Sequence, residues 1–221
     1  MSQQINPVMT LPEKTDKREH LLKSAEELFA EKGFDGTSVR DIAQKADVNL
    51  AMISYYFGSK EKLLQVLIEQ RFASSFELLE GMLKNNKMTP WEKIEKLIEY
   101  YVDKILGGRR FHAIINQEYN TDRSREIIDL ITGIKMKNFE MIKLILEEGV
   151  KKKQFRKIDP EMTMASMMGT INQAINSKNL YCTLFRMEGA TEEEYQAKMT
   201  VRLKSHLKQL MRAHLSSEQP I

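Results

Sequence analysis

An all-α fold is predicted, in which a small N-terminal three-helix domain built around a helix-turn-helix precedes a larger helical domain. Three observations predict it. From Asp16 almost to the end, apolar side chains recur at the 3.6-residue spacing of buried helix faces. Period-two alternation, the mark of strands, is almost absent. The composition, 42% hydrophobic and 29% charged with ten Gly and five Pro in 221 residues, suits a globular helical chain and excludes disordered and collagen-like classes.

The length allows one large or two small domains with a real core. The single cysteine, Cys182, has no partner for an internal disulfide, and no CxxC pair exists, which excludes a disulfide scaffold and a cysteine-rich zinc site. No apolar run is long enough to span a membrane, and the first residues lack the basic-then-apolar pattern of a secretory signal. The expectation is a cytoplasmic protein without a membrane partner. The net charge of +3 is unevenly spread, with nine Lys/Arg against eleven Asp/Glu in residues 1–70 and 25 against 20 in the remainder. A basic N-terminal domain is missing, so any nucleic-acid contact must rest on where individual side chains sit.

Residues 1–14, with Pro7 and Pro12 and no sustained period, read as a flexible leader. Thr15 or Asp16 can cap the first helix, whose inner stripe is Leu21, Leu22, Ala25, Leu28 and Phe29, and Gly33 is placed to end it in a left-handed cap. Thr37 can cap a short second helix with Val39, Ile42 and Ala43 inward. Ala46-Asp47-Val48-Asn49 then turns the chain, with Val48 as an apolar plug and Asn49 as the cap of a third helix carrying Ile53, Tyr55, Tyr56 and Phe57. Gly58-Ser59 closes that helix, and Ser59 can cap a long one running towards Leu83 that links two domains. Pro90 opens the next, where Trp91, Ile94, Leu97, Ile98, Tyr101, Val102 and Ile105 repeat until Gly107-Gly108. Further periodic segments cover about 110–120, 123–154, 160–180 and 191–214.

Within this pattern, Gly36-Thr37-Ser38-Val39-Arg40-Asp41-Ile42-Ala43, then Ala46-Asp47-Val48, then Tyr55-Tyr56-Phe57-Gly58-Ser59-Lys60-Glu61-Lys62-Leu63-Leu64 resembles the N-terminal domain of TetR-family transcriptional regulators. The resemblance covers residues 15–65 and implies a DNA-binding head there, with a helical effector-binding and dimerisation domain over residues 66–221. It also implies that Arg40 and residues 49–54, including Asn49, Leu50, Ala51 and Ser54, read base edges. Thr37, Tyr55, Tyr56 and Lys60 match positions that hold phosphates, and Ser38 is grouped with them at the same helix start.

The chemistry of these residues agrees. Short side chains at Asn49, Ala51 and Ser54 let a helix approach a groove, Leu50 can touch a thymine methyl or lie inward, and helix N-termini at Thr37 and Ser59 aim N–H groups at anions. Other readings stay open: either tyrosine can close a small core, Lys60 can be a solvated charge, and Arg40 can pair with Asp41.

The C-terminal two-thirds names no ligand. The segment at 160–180 places Met164, Met167, Met168, Ile171 and Ile175 among the small residues Ala165, Gly169 and Ala174, and the last segment adds Leu203, Leu207 and Leu210. As in the family's dimers, two such helices from each subunit would make a four-helix bundle, so these eight apolar residues are the candidate dimer contacts. Intramolecular core is the other reading. Fourteen Met with several aromatic residues can line an adaptable cavity for a lipophilic effector. Its candidate contacts are Phe111, His112, Tyr119, Phe139, Met168, Tyr181 and Phe185, each of which ordinary packing also explains.

HExxH, GxSxG, phosphate-cradling glycine loops and metal-spaced histidines are all missing, so no enzyme, cofactor or metal is expected. The resemblance implies a homodimer on a palindromic operator in double-stranded DNA, a repressor released by a small-molecule effector. The alternative keeps the DNA-binding head but makes the C-terminal domain a protein-interaction platform without a small ligand.

Overall fold

A computed structural model describes residues 12–121 and 124–216, so residues 1–11 of the expected leader at 1–14 lie outside the described residues. The described residues form helices joined by turns, with one isolated antiparallel bridge between Phe155 and Ser216. The all-α expectation holds. Contacts divide the chain into two compact units, one drawn from Met1–Arg71 with Ala113–Ile128, the other from Phe72–His112 with Asp129–Ile221.

The first unit holds α1 (Pro12–Lys32), α2 (Val39–Lys45), α3 (Ala51–Tyr56) and the start of α4 (Lys60–Lys84). α1 begins at Pro12, so residues 12–14 are helix rather than leader; a proline in the first turn lacks only an N–H that would have had no partner. The expected stripe of Leu21, Leu22, Ala25, Leu28 and Phe29 is buried. Ile42, Ala43, Ile53, Phe57, Leu63, Leu64, Leu67 and Ile68 of the same unit are buried as well. Gly33 ends α1 at φ +72°, the left-handed conformation only glycine adopts without cost.

The second unit is built around α5 (Pro90–Gly107) and α10 (Glu192–Leu215), with α7 (Arg125–Lys151), α8 (Pro160–Asn176) and α9 (Lys178–Leu184). Thr89 and Thr191 open α5 and α10 with reciprocal caps to Glu92 and Glu194. Along α10, Tyr195, Met199, Leu203, Leu207, Met211 and Leu215 recur every four residues and are all buried. Beside that ridge, Glu95, Glu99 and Asp103 of α5 pair with Arg212, Lys208 and Lys204 of α10, in an order that makes the two helices antiparallel.

This core corrects the dimer expectation. Met167, Ile171, Leu203 and Leu207 are at most 5% exposed, and Met164, Met168 and Ile175 pack against the same core. The most apolar stripe of each helix is used inside the subunit, where burial per residue is greatest. Of the eight, Leu210 alone stands outward, at 37% exposure.

Two helix boundaries also differ. The segment at 160–180 breaks at Ser177, because the Tyr195 hydroxyl donates to the Ala174 carbonyl at 2.6 Å and the Arg109 guanidinium to the Ile175 carbonyl at 3.4 Å. Those oxygens would otherwise accept from the next turn. α7 stops at Lys151 rather than 154, since the Gly149 carbonyl accepts from the amides of Gln154 and Phe155, and Lys153 turns the chain at φ +56°. The Phe155 ring lies against Gly149, where a Cβ would fall 1.9 Å from it.

Candidate nucleic-acid interface

The start of α2 is set by Ser38, not Thr37. The Ser38 hydroxyl accepts from the Asp41 amide at 3.1 Å, and Asp41 Oδ2 accepts from the Ser38 amide at 2.9 Å. The bonds that this carboxylate accepts, from the Ser38 amide first and then from the Ser38 hydroxyl at 2.7 Å, hold it below its ordinary range. Thr37 is 1% exposed, and its hydroxyl is shared between the carbonyls of Gly33 at 2.8 Å and Leu28 at 3.1 Å. Its side chain therefore pins the end of α1 to the start of α2.

The turn from α2 to α3 closes through Asp47 at φ +52°, with the Val48 amide donating to the Ala43 carbonyl at 3.0 Å. Asn49 Oδ1 accepts from the Ala51 amide at 2.8 Å, so it supplies the capping bond although Leu50 is the residue at the helix edge. Ile53 and Phe57 point inward. That choice turns Asn49, Ala51 and Ser54 outward with Leu50 at 40% and Tyr55 at 64% exposure, while Tyr56 is half-buried against Tyr55 and Phe57. Exposed Arg40 joins this set from α2 and makes no ion pair among the described residues, because the neighbouring Asp41 carboxylate is used by Ser38.

Lys60 departs from expectation. Its ammonium donates to the carbonyls of Phe34 and Thr37, both at 2.9 Å, and lies 4.1 Å from the centre of the Phe34 ring. These bonds tie the first residue of α4 to the α1–α2 connection. Sequence reasoning passed over Arg18, whose guanidinium sits over the Phe57 ring at 5.5 Å and brings a cation from α1 to the end of α3. Its signal was the Lys17-Arg18 pair early in α1.

The acidic excess of the head is largely spent away from this face. Glu26 pairs with Arg71, Glu27 with Lys45 at 3.0 Å, and Glu19 accepts from Gln70 at 2.7 Å. The outward set of α2 and α3 therefore carries hydroxyls, an amide, a phenol and a guanidinium, the donors that read base edges and phosphates.

The expected effector residues do not form one group. Phe111 and His112 of α6 (Arg109–Thr121) come together, with Phe111 buried against Phe72 at 5.6 Å. On α9, Tyr181 and Phe185 stack at 5.4 Å. Phe139 is half-buried on α7, Met168 packs on the core, and Tyr119 falls in the part of α6 that belongs to the first unit. An open groove of about 800 Å³ runs along α10, lined by Phe185, Met187, Val201, Arg202 and His206, so Phe185 alone of the expected set borders it. Among the described residues no cluster could hold a metal ion, and no helix is long and apolar enough to cross a membrane.

Residues 21–67 match the family described as "Bacterial regulatory proteins, tetR family", and residues 87–176 match "Tetracyclin repressor-like, C-terminal domain". The probable HTH-type transcriptional regulator YttP of Bacillus subtilis is 32% identical over 143 residues, 64% of this chain and 69% of that protein. The chain belongs to the TetR family. It is a DNA-binding transcriptional regulator of that family, with the helix-turn-helix at α2 and α3. The TetR-family regulator PfmR of Thermus thermophilus shares the fold at TM-score 0.68 and 21% identity, covering 96% of this chain and all of that one. FadR from Bacillus subtilis, solved in complex with stearoyl-CoA, has TM-score 0.64 at 22% identity over 86% of this chain and 96% of its own.

Proposed function

We propose that this TetR-family protein is a homodimeric repressor that binds a palindromic operator and is released by a small-molecule effector held in the C-terminal domain. The observation that carries the reading is the outward set on α2 and α3. Arg40, Asn49, Leu50, Ala51 and Ser54 read base edges, while Ser38, Tyr55 and Tyr56 hold the flanking phosphates. Thr37 and Lys60 position that set from behind. An α3 of six residues reads too few base pairs for a unique site, and a two-fold dimer doubles the reading with two α3 helices about 34–36 Å apart.

The dimer face is the less apolar side of the last helices. Ala165, Ser166 and Gly169 on α8 and Ala197, Val201 and Ser205 on α10 are exposed or half-buried, Val201 at 71%, and such small residues admit close helix approach. An effector acts by favouring one arrangement of head and C-terminal domain. The boundary between the two compact units falls inside α4, inside α6 and near the start of α7, which makes these continuous helices the carriers of that change.

Light scattering of the purified full chain, with melting across a metabolite panel, tests this reading. A dimer and at least one compound that raises the melting temperature and displaces bound duplex are expected. A monomer at working concentration, or a panel hit that leaves DNA binding unchanged, contradicts it.

A further inference from the structure

Most partly buried cations of the second unit have a carboxylate. Lys93 pairs with Glu148 at 2.7 Å, Lys178 and Arg109 with Glu192, Lys204 with Asp103, and Lys208 with Glu99. Lys104 does not, and no carboxylate among the described residues lies within ion-pair distance of it. Its ammonium donates to three neutral oxygens, Ser75 Oγ at 2.6 Å, Tyr100 Oη at 2.9 Å and Ser74 Oγ at 3.1 Å, and sits 5.7 Å from the Phe72 ring. Hydroxyls solvate a cation but bring no countercharge to it.

His112 stands in the same field. Its Nε2 is buried with no hydrogen-bond partner, a state that native structures seldom leave unexplained. Burial first, then the Lys104 and Lys135 ammoniums, push its pKa down to about 4, so the ring is neutral at pH 7. Two cations bear on a ring nitrogen that has nothing to bond. An anion placed there would accept from Lys104, relieve the repulsion on the imidazole and let Nε2 donate a second charge-assisted bond. Around the Lys104 ammonium, Ser74 is exposed and Tyr100 half-buried, and Phe72 lies beside it with exposed Phe76 one helical turn further along α4.

We infer that Lys104 and His112 form an anion-binding subsite that takes the carboxylate or phosphate of a small effector, whose apolar remainder lies along Phe72 and Phe76. This rests on the proposed ligand-responsive function and specifies the chemical class of the ligand.

The test uses the full-length chain with ¹⁵N-labelled histidine at pH 7 and constant ionic strength, titrated with octanoate, octyl phosphate and the neutral analogue octanamide. At least one of the two anions is expected to move the His112 ring nitrogens towards the imidazolium pattern, and octanamide is not. Which of them does so separates a carboxylate from a phosphate ligand. Lys104→Met should weaken that anion about tenfold, the worth of one charge-assisted hydrogen bond, while Lys87→Met on an exposed turn leaves it unchanged. No response to either anion, an equal response to octanamide, or wild-type affinity in Lys104→Met overturns the subsite. A neutral metabolite that displaces DNA while both anions leave His112 unmoved refutes the subsite and keeps the effector reading. An anion that binds at His112 without releasing DNA establishes the subsite and refutes the effector reading.

Discussion

The Lys60 ammonium donates to the Thr37 carbonyl at 2.9 Å, across 23 residues of chain, and Thr37 in turn donates its hydroxyl to the end of α1. These two residues, matched to phosphate-holding positions by family resemblance, form the brace behind the helix-turn-helix. Lys60→Met should therefore destabilise the head by about 2–3 kcal/mol, through two charge-assisted bonds and a cation–π contact. DNA affinity should fall alike for all sequences, and the slope of log K against log salt should stay at its wild-type value. A phosphate-binding Lys60 would instead flatten that slope by about one.

Arg40 behaves in the opposite way. It makes no ion pair among the described residues, so Arg40→Ala should leave the melting temperature unchanged while costing about 1–3 kcal/mol of discrimination at one position of the site. Competition binding with single-base variants of the selected duplex reads this directly.

Glu148 holds the ammonium of Lys93, which is 1% exposed, and also pairs with Lys152. Burial pushes the Glu148 carboxyl up, but the two lysines outweigh it and the net pKa is lowered from 4.5. The linked stability is complete at neutral pH and declines as pH falls through the ordinary carboxylate range towards the lowered value. Glu148→Gln should cost about 3–5 kcal/mol by stranding a buried charge, and Lys93→Met in the same chain should restore much of it. Chemical denaturation of the single and double variants checks both.

His112 gives a second acid response with a definite window. Its folded pKa of about 4 lies below the ordinary 6.5, so between those values the unfolded chain takes up a proton that the native chain refuses. Stability should fall as pH drops from 6.5 towards 4, and His112→Phe should remove that part of the acid sensitivity in melting curves.

Gly149 accommodates the Phe155 ring where a Cβ would lie 1.9 Å from it. Gly149→Ala should destabilise the second unit by about 1–3 kcal/mol despite alanine's better helix propensity, because the ring must leave its place between Gly149 and Trp91. Thermal unfolding followed by Trp91, the only tryptophan, reports the loss.

What was legible in the sequence was what depends on neighbours in the chain. The α1 stripe, the Pro90 start of α5 and the Gly33 stop follow from local periodicity and backbone chemistry, and all three hold. The choice between Thr37 and Ser38 as cap was not legible, since both are hydroxyl residues and the decision lies with carbonyls at Leu28 and Gly33. The break at Ser177 depends on Tyr195 and Arg109, distant in sequence and close in space. Lys60 is the same kind of case, and so is the dimer expectation: periodicity marks an apolar face but not whether that face meets its own subunit or another.

The most direct test of the central account, that the outward set on α2 and α3 reads DNA, is selection of binding sites from random duplexes by the purified protein and its Arg40→Ala variant. One enriched palindrome is expected for the wild type, and a relaxed preference at matching positions in both half-sites for the variant. Enrichment of the same palindrome with unchanged preference by Arg40→Ala, or no enrichment by a folded wild-type dimer, would contradict it.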